Sequence, residues 1–381
     1  MDRIYMDNAA TTALCPEALS AMLPCFAEVF GNASSIHGEG RKARKYLEDA
    51  RKTVASCIGA EPKEIYFTSG GTESDNWAVK GVSFANREKG NHIITTRIEH
   101  HAVLNACGWL EKQGFRVTYL PVDGDGIVDP RDVEKAITDE TILISVMAAN
   151  NEVGALQPVA EIGKIAKEHG ILFHTDAVQS AGAVPVDVNG WQADLLSLSG
   201  HKFHGPKGVG ALYVRTGTKV ENFMHGGAQE RGKRASTENV AGAVGMAAAL
   251  KKAADNLEEN GMKLLYLRDR LINGILEGIP GARLNGHPFK RLPGNVNVSI
   301  PDVDGRALLM QLDLMGIAAS VGSACTSGST DPSHVLLAMG LPMESARGSL
   351  RLTLTDANTE EETDAVLRLL PGIVSALRGK M

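Results

Sequence analysis

The sequence predicts an α/β protein with a large, mostly parallel sheet and a smaller α+β unit. Between residues 64 and 214, short apolar runs alternate with longer amphipathic runs. Such alternation is typical of strand–helix–strand units, whose crossover connections place successive strands in one parallel sheet. The short runs are mostly apolar without strict alternation, which indicates strands that helices cover on both faces. A chain of 381 residues is also long enough for two structural units in one body.

The elements of the large sheet follow one another along the chain. Seven short apolar runs are interpreted as its strands: EIYFTS, HIITT, RVTYLPV, TILISVM, ILFHTD, DLLSLS and GALYVR. Helices are predicted over 73–88 and 101–113, each directly after a strand. Ligands of such sheets bind beyond the carboxyl ends of the strands, so the functional residues are expected there.

A second unit is predicted from the change of pattern after the sheet. Alanine-rich helical sequence runs from 239 to about 278, NVNVSI and GIAASVG are then predicted as strands, and 359–378 is predicted as a terminal helix. We therefore expect a large unit over 13–255 and a small unit formed by 1–12 and 256–381. In this arrangement the N-terminal residues fold back onto the small unit.

Composition and charge argue against several classes of partner. The formal net charge is −6 with both signs mixed along the chain, so no surface for nucleic acid or for an anionic membrane is indicated. The N-terminal stretch has no apolar run suited to a signal peptide, and no run approaches the roughly 20 apolar residues that cross a bilayer. A cytoplasmic protein with a small soluble substrate is therefore predicted.

The cysteines indicate free thiols in a reducing compartment. There are five, an odd number, without a C-x-x-C pair or a metal-ligand spacing, so no metal site is predicted. Four lie in or beside helical sequence and are interpreted as structural: Cys15, Cys25, Cys57 and Cys107. Cys325 differs because it lies in VGSACTSGS, residues 321–329, among glycines, serines and a threonine. It is the candidate for a reactive thiol.

Polar residues follow several predicted strands. Asp176 ends ILFHTD, and Lys202 comes just after DLLSLS. TSGGTES, residues 68–74, joins a strand to a helix, so its backbone N–H groups and the Thr72 hydroxyl suit an anion such as phosphate. The segment is not a P-loop, because the lysine and the following serine or threonine are missing. A salt bridge between Asp176 and Lys202 at the rim of the sheet is the simpler interpretation of these two charges alone.

An anion site, a lysine and an aspartate at neighbouring strand ends together match the needs of pyridoxal phosphate. Lys202 would bind the cofactor covalently, while Thr72, Ser199 and His201 would hold its phosphate. Asp176 would pair with the pyridine nitrogen. A charge contact near 4 Å at an effective dielectric of about 20 contributes about 4 kcal/mol, or roughly three pKa units, which keeps the ring nitrogen protonated.

Further candidates have two interpretations each. His100 or His101, after HIITT, could stack on the cofactor ring or simply cap the following helix. Asn150 and Asn151, after TILISVM, could form a turn or donate to the ring hydroxyl. Gln179, one helical turn after Asp176, is a similar candidate for the ring.

The sequence resembles the cysteine desulfurases of the NifS/IscS type, which are pyridoxal-phosphate enzymes of the class V aminotransferase group. The match extends almost from end to end and is carried by ten segments in order: YMDNAATT, FGNASSIHGEG, FTSGGTESDN, EHHAVL, ANNEVGALQP, FHTDAVQS, SLSGHKFHGPKGVGALY, HGGAQERGKRASTEN, GSACTSGSTDPSHVLLAMG and RGSLRLTLT. The resemblance implies the aspartate-aminotransferase-like fold, fold type I.

The resemblance also implies a role for individual residues around the cofactor. These are Lys202 as the covalently bound lysine, Asp176 on the pyridine nitrogen, Gln179 on the ring oxygen, His100 stacked on the ring, Asn151 beside it, and Gly71, Thr72, Ser199 and His201 around the phosphate. Thr237, in RASTEN, is implied to complete the phosphate site of a partner subunit. A homodimer with shared active sites follows from that role.

The substrate carboxylate is implied to bind an arginine in the segment RLTL, which is Arg351. Arg347 is a rival on sequence alone, but the TEEETD that follows fixes the alignment on Arg351. A planar guanidinium can grip a carboxylate with two hydrogen bonds. Asn32, in FGNASS, is expected to assist. Asp356 departs from the family, since relatives often carry arginine there.

The implied activity is the conversion of L-cysteine to L-alanine, with the sulfur carried as a persulfide on Cys325. An acceptor such as an iron–sulfur scaffold protein would then receive it. His100 is a candidate proton acceptor for the thiol. Alternatives of similar fold are a selenocysteine lyase or another class V transaminase, and a catalytically silent adaptor is an alternative from a different class.

Overall fold

Seven strands form one large sheet, which confirms the predicted α/β class and each of the seven predicted strands. The computed structural model describes residues 3–322 and 332–379. Across the sheet the order is β2 (Ile65–Thr68), β8 (Gly210–Val214), β7 (Leu195–Ser199), β6 (Leu172–Asp176), β5 (Thr141–Ser145), β3 (His92–Thr96) and β4 (Arg116–Leu120). Only β8 is reversed, since it pairs antiparallel with both β2 and β7.

Helices cover both faces of this sheet. The helices of the large unit are α1 (Pro16–Met22), α2 (Pro24–Ala27), α3 (Gly38–Cys57), α4 (Gly71–Ala85), α5 (His101–Glu111), α6 (Pro130–Ala136), α7 (Val159–Glu168) and α8 (Val240–Asp255). Successive strand residues point to opposite faces. Leu143 accordingly packs in the core beneath α4 and α5, whereas Ile144 packs in the core with α3, α7 and α8. This double burial explains why the strands are mostly apolar without strict alternation.

The predicted helix over 73–88 begins earlier than expected, at Gly71. Gly70 precedes it with a φ of 155°, a backbone conformation that favours glycine. The chain therefore turns sharply after β2, and α4 starts directly behind the strand end. This turn brings the first backbone N–H groups of α4 to the carboxyl edge of the sheet.

The small unit contains two short sheets and its own core. In one sheet β10 (Asn295–Ser299) lies antiparallel between β12 (Ser349–Thr353) and β9 (Arg283–Leu284), and in the other β1 (Ile4–Tyr5) lies parallel to β11 (Ile317–Ala318). Its helices are α9 (Leu257–Gly278), α10 (Gly305–Leu314), α11 (His334–Ala338), α12 (Met343–Arg347) and α13 (Glu360–Arg378). Ile4 and Met6 are buried in the core formed by α9, α10 and α13.

The predicted strand GIAASVG forms only the two-residue strand β11, and Ser320 in the same segment forms an isolated antiparallel bridge to Arg351 on β12. The predicted boundary after residue 255 stays a prediction; α8 ends at Asp255, and α9 begins after Asn256. Across residues 3–322 and 332–379, no helix combines the length and the apolar character needed to span a bilayer.

Candidate active site

A cavity of about 160 Å³ lies where β6 and β7 end and α4 and α5 begin. It brings together ten of the residues predicted from the sequence: Gly71, Thr72, His100, Asn151, Asp176, Gln179, Ser199, His201, Lys202 and Arg351. The elements that position them are distant along the chain but adjacent at the carboxyl ends of the parallel strands, where α/β sheets bind their ligands.

Three predicted residues are not in this group. Asn32 and Thr237 do not line the cavity, and both are exposed. The Asn32 side chain instead accepts a hydrogen bond from the backbone N–H of Ser34 at 2.8 Å. Cys325 lies outside the described residues. The roles of these three residues stay predictions.

Lys202 ends a short 3₁₀ turn, Gly200–Lys202, that follows β7. Its Nζ donates to the carbonyl oxygens of Ala9 and Ala10, the latter at 2.9 Å. Gln179 Nε2 donates to the same Ala9 carbonyl at 3.0 Å. The N-terminal segment 7–12 therefore reaches Lys202, although the sequence predicts only that it contacts the small unit.

Two buried carboxyls face the cavity, Asp176 at the end of β6 and Asp75 in the first turns of α4. Burial raises the pKa of Asp176 to about 6, and the nearby Lys202 ammonium opposes the rise. Burial also raises the pKa of Asp75 well above its usual value, and the charge of Asp176 raises it further. Two close carboxyls in a poorly solvated site cannot both ionise. Asp75 therefore holds the proton and Asp176 carries the charge.

His174 lies behind these carboxyls and is fully buried. Its Nδ1 is 2.8 Å from the Ser145 hydroxyl, and its Nε2 is 3.0 Å from the Ser197 hydroxyl. Burial lowers the pKa of His174 to about 3, so the ring is neutral. Its Nε2 is also 3.7 Å from Asp75 Oδ1. The histidine and its two serines thus form an uncharged support for the buried acids.

His100 caps α5, which confirms one of its two interpretations, and it also lines the cavity, while its stacking on the cofactor ring stays a prediction. Its Nδ1 accepts from the backbone N–H of Ala102 at 3.2 Å, which leaves the ring proton on Nε2. Burial, followed by the charge of Lys202, lowers the pKa of His100 to about 4. His101 does not line the cavity and packs edge-on against His334, with 4.7 Å between the ring centroids.

Glu99, directly before His100, is a third buried carboxyl at this end of the sheet. Burial raises the pKa of Glu99 to about 8, although hydrogen bonds from the Met147 backbone and the Thr96 hydroxyl oppose the rise. The Thr96 hydroxyl donates to Oε1 at 2.7 Å. Glu99 is therefore protonated at neutral pH and adds no charge beside the neutral His100.

The start of α4 is shaped for an anion. The first N–H groups of a helix have no partner within it. A Cβ atom on Gly71 would come within 2.7 Å of Val178 Cγ2, so glycine keeps this position open. Ser199 and His201 border the same region. His201 Nδ1 is 3.1 Å from the Thr11 hydroxyl, and burial lowers the pKa of His201 to about 4.

Arg351, on β12, is the substrate-carboxylate candidate that lies in the cavity, whereas Arg347 is exposed and does not line it. Its side chain is only 1% exposed. Nη1 donates to the carbonyl of Asn151 at 3.0 Å, and Nη2 donates to Asp7 Oδ1 at 2.9 Å. Nε is buried without a hydrogen-bond partner among the described residues. A buried donor in this state favours an incoming acceptor such as a carboxylate.

The residues present fit pyridoxal phosphate. The open helix start at Gly71 offers donors to a phosphate, Lys202 offers an amine to an aldehyde, and Asp176 offers a negative charge to a protonated pyridine. Arg351 lines the same cavity, and its Nε, which has no partner among the described residues, offers a donor to a substrate carboxylate.

A larger cleft of about 680 Å³ adjoins this cavity and shares Ala9, Gln179 and Lys202 with it. It lacks Asp176 and the start of α4, so it does not offer the donors that the cofactor requires. Asp356, the residue that departs from the family, lines this cleft with Oδ1 3.5 Å from His204 Nε2.

Sequence reasoning missed four residues of the site. Asp75 lies one helical turn after Thr72, and His174 lies two residues before Asp176 on the same face of β6, so helix and strand periodicity could have indicated both. Glu99 precedes the candidate His100 directly. Asp7 carries no such signal, because its partner is 344 positions away.

Comparison with known proteins agrees with this geometry. Residues 4–366 match the family described as Aminotransferase class-V. The chain is 58% identical to "Cysteine desulfurase IscS" of Methanosarcina thermophila over 98% of this chain and 93% of that protein. The identity to the protein of the same name from Dictyoglomus turgidum is 52%, over 98% of this chain and 95% of that protein.

Solved structures also match this chain over most of its length. A structure described as "NifS-like protein" matches with a TM-score of 0.93 and 40% identity, over 98% of this chain and all (100%) of that one. A structure described as "SspA in complex with cysteine" matches with a TM-score of 0.83 and 37% identity, over 93% of this chain and 100% of that one.

Proposed function

The chain belongs to the class-V aminotransferase family and is a pyridoxal-phosphate-dependent cysteine desulfurase, and we propose that Lys202, Arg351 and Cys325 perform its three chemical tasks. In this proposal L-cysteine is converted to L-alanine and its sulfur moves to Cys325. The single observation that supports these roles most is the convergence of Lys202, Asp176 and the unpartnered Arg351 Nε on one cavity.

Arg351 binds the substrate carboxylate and so fixes the position of the α-carbon relative to Lys202. A charged, bidentate contact of this kind is stronger and more directional than a single neutral hydrogen bond. Asn151 supports the guanidinium through its backbone carbonyl. The carbonyls of Ala9 and Ala10 hold the Lys202 ammonium, and Gln179 donates to the same Ala9 carbonyl.

Lys202 removes the proton from the substrate α-carbon. When bound, pyridoxal phosphate stores the electron pair that this step releases. Asp176 favours that storage because its negative charge, with Asp75 protonated beside it, keeps the pyridine nitrogen protonated. The neutral His100 carries its ring proton on Nε2 and can donate a hydrogen bond from that atom in the cavity.

Cys325 accepts the sulfur. Its thiolate forms a bond to the substrate sulfur, and the bond between that sulfur and the β-carbon breaks. The electron pair of the broken bond stays on the carbon side, which takes up protons and leaves as alanine. The sulfur remains on Cys325 as a persulfide until a second protein accepts it, and an iron–sulfur scaffold is the proposed acceptor.

A homodimer in the cytoplasm is the proposed working form. Apolar side chains near the N-terminus support it, since Phe26, Phe30 and Ile36 are 65%, 70% and 91% exposed. Surface of this kind is typical of protein–protein contact. Thr237 is exposed and outside the cavity of its own chain, as expected of a residue that serves a partner's site.

The experiment that tests these roles compares Cys325→Ala with Cys57→Ala and Lys202→Ala. After incubation with L-cysteine and a reductant, alanine and sulfide are quantified, and the visible absorbance of bound cofactor is recorded. Cys325→Ala should keep that absorbance and lose more than about 100-fold of the alanine formation, a barrier increase of roughly 3 kcal/mol. Cys57→Ala should match the wild type.

Lys202→Ala should lose both the absorbance and the activity. Alanine and sulfide formation by Cys325→Ala at the wild-type rate would exclude Cys325 as the sulfur acceptor. Formation of a keto acid instead of alanine would favour the transaminase alternative, and a preference for selenocysteine would favour the lyase.

A further inference from the structure

The buried guanidinium of Arg351 already holds a carboxylate from its own chain. Asp7 Oδ1 accepts from Nη2 at 2.9 Å, while Nε remains without a partner among the described residues. Nε and Nη2 lie on the same edge of a guanidinium, which is one of the edges that grips a carboxylate with two parallel hydrogen bonds. Asp7 therefore uses one of the two donors that a substrate carboxylate would take on this edge.

We propose that Asp7 is an internal competitor of the substrate carboxylate. It neutralises Arg351 in the ligand-free protein and leaves Nη2 when the carboxylate of cysteine binds to Nε and Nη2 together. The inference deepens the proposed function and rests on it, because it assumes that Arg351 binds the substrate carboxylate.

The different burial of the two partners supports an exchange. The Arg351 side chain is 1% exposed, whereas that of Asp7 is 20% exposed. A buried cation without an anion is strongly destabilising, so Arg351 needs a partner in the absence of substrate. Asp7 is partly exposed, so moving its side chain into water costs less than moving a fully buried carboxylate would.

The backbone beside Asp7 is fixed, so the exchange needs only a side-chain rotation. Thr353 N–H, on the same strand as Arg351, donates to the Met6 carbonyl at 2.7 Å. The Ala9 N–H donates to the Thr353 hydroxyl at 2.8 Å. Contacts on both sides thus hold the chain at Asp7 against β12.

Competition of this kind changes which ligands bind. Two carboxylates that share one guanidinium repel each other, so a ligand must displace Asp7 to use Nε and Nη2 together. A ligand that only carries charge gains less from the exchange than one with a planar carboxylate that forms two hydrogen bonds. Asp7 would therefore weaken the binding of all anions to Arg351, and it would weaken the binding of simple anions most.

The test measures binding of 3-mercaptopropionate, which has the carboxylate and thiol of cysteine but no amine and so cannot join the cofactor. Its dissociation constant is determined by calorimetry on the cofactor-loaded wild type, Asp7→Asn and Asp7→Ala. We expect both variants to bind about tenfold more tightly, equivalent to about 1.4 kcal/mol. The KM for L-cysteine should fall in the same direction.

The melting temperature of the ligand-free protein provides a second measurement. It should fall in both variants, because Arg351 has lost its anion, and 3-mercaptopropionate should restore part of the loss. The matched control is Asp364→Asn, which removes the exposed ion pair with Arg270 at 2.7 Å and should leave ligand binding unchanged.

Unchanged or weaker binding in Asp7→Asn and Asp7→Ala would overturn the proposal, since Asp7 would then support Arg351 in the bound state as well. An Arg351→Lys variant separates this failure from failure of the proposed function. If Arg351→Lys binds 3-mercaptopropionate as tightly as the wild type, Arg351 is not the carboxylate site and the inference fails together with its premise.

Discussion

The two ends of the cavity stabilise charge in opposite ways. At the sheet end, formed by Asp75, Glu99, His100, His174 and Asp176, four buried titratable groups and the partly buried His100 carry a single negative charge between them, because burial keeps the others neutral. At the arginine end, formed by Asp7, Asn151 and Arg351, a full ion pair persists although the guanidinium is buried.

The difference shows what each end can do. A buried cluster that shares one charge sets the protonation of a bound ring, and solvent or salt affects it little. An ion pair with one partially exposed partner can exchange that partner for a ligand. The sheet end is therefore suited to tuning the cofactor, and the arginine end is suited to selecting the substrate.

The largest effect is expected from substitutions that test which carboxyl of the sheet end carries the charge. Asp176→Asn should lower kcat roughly 10²–10³-fold, because about 4 kcal/mol of charge stabilisation of the ring nitrogen is lost. Asp75→Asn replaces a protonated carboxyl by an amide of the same shape and should change kcat by at most about fivefold, or 1 kcal/mol. Steady-state kinetics on both cofactor-loaded variants decide the matter, and equal losses would show that the charge is shared.

A smaller effect is expected at the arginine end. Arg351→Lys keeps the charge but removes the bidentate geometry, so the KM for L-cysteine should rise roughly 10- to 100-fold, or about 1.5–3 kcal/mol. Arg347→Lys, at an exposed position outside the cavity, is the matched control and should behave as the wild type. If kcat fell while KM stayed constant, Arg351 would act on the chemical step instead of on carboxylate binding.

The smallest effect on catalysis is expected from two glutamates in opposite ionisation states, which change stability instead. Native Glu99 keeps its proton up to about pH 8, whereas the unfolded residue loses it near 4.5. The native state then binds more protons between these values, so the free energy of unfolding falls with rising pH, by up to about 1.4 kcal/mol per unit from this group. Glu99→Gln should remove that slope, so the variant should resemble the wild type near pH 4.5 and have the larger free energy of unfolding at pH 7.

Glu73 is the contrasting case. Burial opposes ionisation there, yet hydrogen bonds from Arg234 at 2.7 Å and from the Ser69 backbone at 2.8 Å hold the pKa of Glu73 below its usual value. Its stabilising contribution is present above that usual value and is lost as the pH falls through the native pKa. Glu73→Gln should therefore destabilise the protein at pH 7. Urea unfolding between pH 5 and 9 measures both variants, and a pH slope retained in Glu99→Gln would contradict a protonated Glu99.

The sheet end could be predicted well because its residues lie at strand ends that local sequence patterns reveal. Asp176 and Lys202 follow mostly apolar runs, and the glycines before Thr72 mark the turn into α4. Parallel strands end at one edge, so these local features also predict proximity. Asp75 and His174 follow from the same periodicity, although their protonation depends on burial that no local pattern provides.

The arginine end could not be predicted from physical patterns in the same way. Asp7, Asn151 and Arg351 come from three segments with no shared periodicity, and only the family resemblance indicated Arg351. Asp7 forms an isolated bridge to Thr353 of β12. This long-range contact cannot be predicted from the two-residue strand β1 that precedes Asp7. The role proposed for Asp7 depends on which hydrogen-bond donors of Arg351 have partners, and only the folded structure determines that.

The contacts of segment 7–12 have a consequence for biosynthesis. These residues leave the ribosome before the other residues of the cavity, and Arg351 is made 344 residues after Asp7. At about 5–20 residues per second, the N-terminal segment waits roughly 20–70 s for this partner. The strands of the large sheet are complete well before that time, so closing the cavity is expected to be a late event that joins the two ends of the chain.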